Sequence, residues 1–395
     1  MRNEKGSLIR PDPLPASASR PVVTPLSPSV VYASETPDQL DAQYEGHIHG
    51  YTYAREGHPN ADVVAARLDA MEGQSDGTVT GSGMAAVTAA LMGLLQAGDH
   101  VIGGNQLYGR SLRLMKEDLP RLGITTTLAD PGDVAAIKAA ITPKTKMILI
   151  EVVSNPTLRV ADVNGIAALA KDHGILLAVD NTFTTPRSFR PYDHGADIVI
   201  HSLTKLLAGH SDVMLGYVSA RDPELSQKMR VFAVTTGLSP SPFDCWLCER
   251  GMLSFDLRFD RAQATAIRLA DHLAGLKGVK RVIYPGRSDH PDHARARDLL
   301  GDQTCNMVSF ELDGGRSAAN AFTRAADGLC FAPTLGDVGT TLSHPASSSH
   351  RALSVDDRAA LGLSEGFFRV SVGLEDPDAL MAVFTDAVAA TRDLD

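Results

Sequence analysis

Lys205 and Asp180 are the residues whose placement suggests chemistry. Lys205 closes the run Ser202-Leu203-Thr204-Lys205 and follows the short apolar strand expected over 197–200. Asp180 closes a second such strand, 175–179, and stands 25 residues upstream of the lysine. Open α/β sheets bind ligands at the carboxyl ends of their strands, so both residues fall on one edge. A lysine that forms a Schiff base and a carboxylate that pairs with a pyridinium nitrogen are the protein groups pyridoxal phosphate (PLP) needs. An isolated S-x-T-K is usually a surface lysine beside a helix cap. The paired strand-end aspartate reverses that reading.

PLP needs more than these two groups. Tyr108 follows the strand expected at 100–102 and can offer an aromatic face and a hydroxyl. The cofactor phosphate needs donors. The amides of Gly83 and Met84, in the Gly81-Ser82-Gly83-Met84 turn before a helix, suit an anion, as do the hydroxyls of Ser202 and Thr204. Tyr53 and Arg55 would add a hydroxyl and a bidentate cation. Both lie on a proline-rich arm, residues 1–60, which cannot easily reach its own cofactor, so a neighbouring subunit is their expected beneficiary. Arg369, opening a short strand, suits a substrate α-carboxylate.

The elements that position these residues alternate strand and helix. Strands are expected near 77–80, 100–102, 124–128, 147–150, 175–179, 197–200 and 213–218. Helices are expected at 63–71, 85–95, 110–121, 133–140 and 163–173. Alternation of this length implies an α/β fold with a mostly parallel sheet covered by helices on both faces. A helical region, 221–260, and a long helix, 262–275, follow. Strands at 279–284, 307–312 and 369–372 with a helix at 317–326 suggest a smaller α+β domain, and 333–351 reads as a long functional loop. The expected units are the arm 1–60, a large domain 61–255 and a C-terminal domain 256–395.

Composition narrows the class. The 395 residues are 44% hydrophobic and 21% charged, as in soluble globular proteins. A net charge of −10 argues against a nucleic-acid surface. No run resembles a signal peptide or a membrane span, so a cytoplasmic protein is expected. Cys245 and Cys248 form a lone C-x-x-C, expected to be buried core thiols. His47-x-His49 and His290-x-x-His293 lack the acidic or thiol companions of a metal site and read as solvated loops; no metal is expected.

The chain also resembles the cysteine/methionine-metabolism branch of fold-type I PLP enzymes, which includes cystathionine γ-synthase, the cystathionine lyases, methionine γ-lyase and O-acylhomoserine sulfhydrylase. The likeness runs from about Tyr51 to the C-terminal region. It rests on Tyr53-Ala54-Arg55, Gly81-Ser82-Gly83-Met84-Ala85, Leu107-Tyr108-Gly109, Ser154-Asn155-Pro156-Thr157, Asp180-Asn181-Thr182-Phe183, Ser202-Leu203-Thr204-Lys205, Tyr284-Pro285-Gly286, His344-Pro345-Ala346-Ser347 and Arg369-Val370-Ser371-Val372-Gly373.

The resemblance implies a seven-stranded sheet and a homotetramer of two active-site-sharing dimers. It implies that Lys205 is the Schiff-base lysine, Asp180 the pyridinium partner and Tyr108 the stacking ring. Gly83, Met84, Ser202 and Thr204 would bind phosphate with Tyr53 and Arg55 of the adjacent protomer. Arg369 and Asn155 would hold the carboxylate of an amino-acid substrate.

Three departures bear on this likeness. Arg110 stands where the family has Gly or Cys. Pro333-Thr334-Leu335-Gly336 replaces a Glu before Ser-Leu-Gly. His58-Pro59-Asn60 replaces Asn-Pro-Thr. Arg110 and Thr334 fall where the substrate's distal group would sit. The expected reaction is γ- or β-elimination on a sulfur-containing L-amino acid such as cystathionine or methionine, since the chain lacks insertions common in the sulfhydrylases. The alternatives are γ-replacement on an O-acylhomoserine and a PLP-binding protein without catalysis.

Overall fold

The computed structural model describes residues 17–351 and 353–392. Met1–Ala16 of the expected arm, including Pro11, Pro13 and Pro15, lie outside them. The larger sheet has seven strands: β1 Thr78–Thr80, β2 His100–Gly104, β3 Thr125–Ala129, β4 Thr145–Glu151, β5 Leu176–Asp180, β6 Ile198–Ser202 and β7 Gly216–Ala220. Their order across the sheet is β1-β7-β6-β5-β4-β2-β3. Neighbours from β3 to β6 run parallel, and β7 is antiparallel to both β6 and β1.

Side chains of this sheet alternate between two cores. Met147 and Leu149 of β4 join Ala178, Ile198 and Ile200 under the helices Gly83–Leu94 and Pro223–Thr235. Ile148 and Ile150 join Leu177, Val179 and Val199 under the helix Val163–His173. Burial on both faces is what a parallel sheet requires, and it explains the continuous apolar runs of its strands. The helix Val163–His173 has the bounds expected from sequence because its signals are local. Asp162 accepts from the Gly165 amide at 2.9 Å, and Gly174 takes the left-handed conformation, φ 62°, at the other end.

A second sheet holds β8 Val279–Ile283, β9 Met307–Leu312, β10 Cys330–Phe331, β11 Thr341–Ser343 and β12 Phe367–Ser371, ordered β10-β11-β12-β9-β8. The segment 333–351 is therefore not loop throughout, since β11 lies within it. Three residues gave no readable strand period there. The helix Phe255–Ala274 is longer than expected and joins the two sheets. Phe255 and Phe259 pack with Leu203, Leu206 and Leu207, just around Lys205. Leu269 and Leu273 pack with Phe310, Phe322, Phe368 and Phe384 of the second sheet and its helices.

The arm contains one unexpected element, the helix Pro37–Tyr44, which buries none of its residues. The helix Pro59–Glu72 starts earlier than expected because the His58 ring, through Nδ1, caps the Ala61 amide at 3.1 Å. Cys245 and Cys248 are fully buried and unbonded, as expected, and burial pushes the Cys248 thiol up to about 12. His290 departs from expectation. It is buried, 6% exposed, with Nδ1 accepting from the Asp292 amide. The described residues contain no cluster of three or more potential metal ligands and no helix long and apolar enough to cross a membrane.

Candidate active site

A cavity of about 730 Å³ opens at the carboxyl edge of the seven-stranded sheet, and every candidate residue except Tyr53 and Arg55 lines it. Lys205 sits one turn beyond β6. Burial, with help from the Arg369 charge, lowers its amine to about 8. Arg258 fixes the turn from below, donating to the carbonyls of Leu206 at 2.8 Å and Leu207 at 2.9 Å. Nothing in the sequence marked Arg258, because its partners lie about fifty residues away in backbone carbonyls.

Asp180 ends β5. Its Oδ1 accepts from the Thr182 amide at 3.0 Å and the Thr182 hydroxyl at 2.5 Å, and Thr182 Oγ1 accepts from the Ser202 amide at 2.8 Å. Thr182 thus ties the ends of β5 and β6 together. Burial raises the Asp180 carboxyl, and the Thr182 donors reduce that rise without cancelling it. Glu151, missed in the sequence, ends β4 in register with Asp180 and accepts the Tyr108 amide at 2.6 Å. Its signal was available: a carboxylate ends the apolar strand 147–150 just as Asp180 ends its own.

Ser82 caps the helix Gly83–Leu94 through the Ala85 amide at 3.1 Å. That leaves the Gly83 and Met84 amides for an outside acceptor. A Cβ on Gly83 would lie 2.6 Å from the Ser202 Cβ, so only glycine lets the helix start meet the end of β6 this closely. The Thr204 hydroxyl is shared with the Leu215 backbone, accepting from its N–H at 3.0 Å.

Arg369 on β12 reaches the cavity from the second sheet. It donates to Asn155 Oδ1 at 2.6 Å and to the Thr334 carbonyl at 2.8 Å, so three candidates far apart in sequence meet. Burial lowers its guanidinium to about 10, and its Nε has no partner among the described residues. Arg110 lines the cavity with Arg113 and Arg351. Arg113 pairs with Glu117 at 3.4 Å, whereas Arg110 pairs with no acidic side chain among the described residues. Tyr53 and Arg55 lie outside the cavity, with Arg55 donating to the Val234 carbonyl at 3.2 Å.

The residues present fit PLP. A glycine cradle with free amides and a serine hydroxyl suits the phosphate. A half-buried amine of lowered basicity suits the aldehyde, and a carboxylate with one oxygen unclaimed suits the ring nitrogen.

The family described as Cys/Met metabolism PLP-dependent enzyme matches residues 6–389. The chain is 36% identical to L-methionine γ-lyase of Pseudomonas putida over 94% of its own length and 93% of that protein. Its fold is similar to cystathionine γ-synthase from Xanthomonas oryzae pv. oryzae, solved with aminoacrylate and cysteine: TM-score 0.89, 35% identity, 94% of this chain and 93% of that one. It is also similar to a putative O-acetylhomoserine (thiol)-lyase from Campylobacter jejuni that carries a pyridoxyl-lysine phosphate, with TM-score 0.91, 27% identity and coverage of 94% and 96%. The cradle, lysine and carboxylate therefore sit in a chain that belongs to the PLP-dependent enzymes of cysteine and methionine metabolism.

Proposed function

We propose that this enzyme eliminates the γ- or β-substituent of a sulfur-containing L-amino acid such as cystathionine or methionine, with Lys205 as the lysine that carries PLP. The observation that carries this reading is that Lys205, with its lowered basicity, shares one cavity with the Arg369 and Asn155 pair. Bound PLP supplies an electron sink for negative charge at the substrate Cα. Asp180 holds the proton on the ring nitrogen. The Gly83 and Met84 amides and Ser202, with Thr204, hold the phosphate. Arg369 and Asn155 orient the substrate carboxylate. Lys205, neutral above about pH 8, accepts the Cα proton and returns it to a neighbouring carbon. Tyr108, on the cavity wall, would stack on the cofactor ring, and its hydroxyl would assist departure of the substituent.

The second reading, γ-replacement on an O-acylhomoserine, draws on the likeness to a γ-synthase. Product analysis with cystathionine, methionine, homocysteine, cysteine and O-acylhomoserines, with and without thiol, separates the two. Thiol-independent release of ammonia and a ketoacid supports elimination. Turnover only with added thiol overturns it.

Arg110 bears on substrate choice. An arginine on the cavity wall without an acidic partner favours a substrate with a distal carboxylate over methionine. Such a contact contributes about 1.5 kcal/mol, the lower end of the charge-assisted range, because Arg110 is exposed and solvent screens it. Arg110→Gly should therefore lower kcat/KM for cystathionine or an O-succinyl ester about tenfold and leave methionine nearly unchanged. Equal loss on both substrates would remove Arg110 from the choice.

The units 1–60, 61–255 and 256–395 are read as an arm, a cofactor domain and a covering domain. The arm presents Val30, Val31, Tyr44 and Ile48 to solvent, apolar surface suited to a neighbouring subunit. Together with the position of Tyr53 and Arg55 outside the protomer's own cavity, this supports a homotetramer whose dimers share active sites. Mixing inactive Arg55→Ala with inactive Lys205→Ala should then restore part of the activity in hybrid sites. No recovery after confirmed subunit exchange would assign the arm to its own protomer. The unbonded cysteines suit the reducing cytoplasm.

A further inference from the structure

Glu151 and Asp180 are registered residues on neighbouring parallel strands. Such residues point to the same face of a sheet with strands about 4.8 Å apart, so two carboxyl groups stand side by side at the cavity floor. Glu151 is 9% exposed. Its Oε1 accepts the Tyr108 amide, while its Oε2 has no partner among the described residues. The groups that act on it are Asp180 from β5, Arg369 from β12 and the backbone amides of Tyr108 and Asn155, while Lys205 lines the same cavity. The Arg369 Nη atoms are committed to Asn155 and the Thr334 carbonyl, and its Nε, though without a partner among the described residues, makes no hydrogen bond to Glu151. Adjacent buried carboxylates do not both ionise without a dedicated cation. Asp180 is the better anion of the two, because Thr182 gives it two donors. Burial and the Asp180 charge push the Glu151 carboxyl well above the usual carboxylate range.

We propose that Glu151 is a positioning residue that keeps its own proton, pins the Tyr108 backbone through Oε1, and leaves Asp180 as the single carboxylate facing the cofactor's ring nitrogen. The inference rests on the assignment of Asp180 and Tyr108 above, yet it is independent of which substituent leaves. A failed lyase assignment would therefore leave its readouts unmoved.

Three measurements test it: infrared spectra of the cofactor-free protein, pH titration of the visible band of the PLP-loaded protein, and PLP affinity. The parent should show the carbonyl stretch of a protonated carboxyl, and Glu151→Gln should lose it. Glu151→Gln keeps a neutral acceptor for the Tyr108 amide, so the pKa of the visible band should stay within about 0.3 units. Glu151→Ala removes that acceptor, and PLP affinity should fall about tenfold, the effect of one lost buried hydrogen bond. Two results would overturn the proposal. One is a Glu151→Gln band pKa lowered by about one unit or more, the mark of a lost negative charge. The other is Glu151→Ala equal to the parent in PLP affinity. Should the alanine variant fail to fold, the glutamine variant decides the protonation state alone.

Discussion

Lys205→Ala is expected to bind PLP without a covalent link, to lose the yellow band of a lysine-attached cofactor, and to lose activity by about 10²–10⁴-fold, the range of a positioned acid–base group. The parent, reduced with borohydride and digested, should carry the cofactor on the peptide containing Lys205. A label on any other lysine would remove Lys205 from the site. The lowered basicity gives a pH dependence with a definite sign. The neutral amine is the nucleophile, and burial favours it by lowering the amine to about 8. Attachment of PLP to the cofactor-free protein should quicken with rising pH, by about tenfold per unit below that value, and level off above it. A lysine of ordinary basicity would keep accelerating to about pH 10.

Asp180→Asn should fold, bind PLP more weakly and turn over about 10²–10³-fold more slowly, the usual consequence of removing one preorganised electrostatic partner. The reason lies in charge. A carboxylate in this buried position favours a proton on the ring nitrogen, whereas an amide does not. Asparagine still accepts from Thr182 and so preserves the tie between β5 and β6, which separates an electronic effect from a structural one. Circular dichroism should be unchanged while kcat falls and KM moves less. Parent-like kcat in this variant would sink the assignment of Asp180.

The two strand-end residues were legible because each closes a run of apolar residues, and the edge of an α/β sheet follows from that pattern. The cradle was legible because the turn before the helix Gly83–Leu94 has a local signature. What escaped were groups whose partners are distant in sequence. Arg258 reads as one more charge in an amphipathic helix until the chain folds onto the Leu206 and Leu207 carbonyls. Glu151 closes β4 one residue beyond the apolar run 147–150, so the pattern that marks the strand stops short of it. The meeting of Arg369 with Thr334 depends on β11 and β12 pairing, and β11 is too short to show a period. The helix Pro37–Tyr44 lacks a buried face altogether, so no apolar pattern announced it.

The helix Phe255–Ala274 behaves as a shaft. One end carries Arg258 beneath the lysine turn, and the other is set into the phenylalanine cluster of the second sheet. Packed side chains transmit displacement, because interiors compress little. A sliding of the second sheet, which holds Arg369, would therefore pull on the Lys205 backbone as well. The Lys205 turn and the sheet that holds Arg369 are thus packed against one and the same helix.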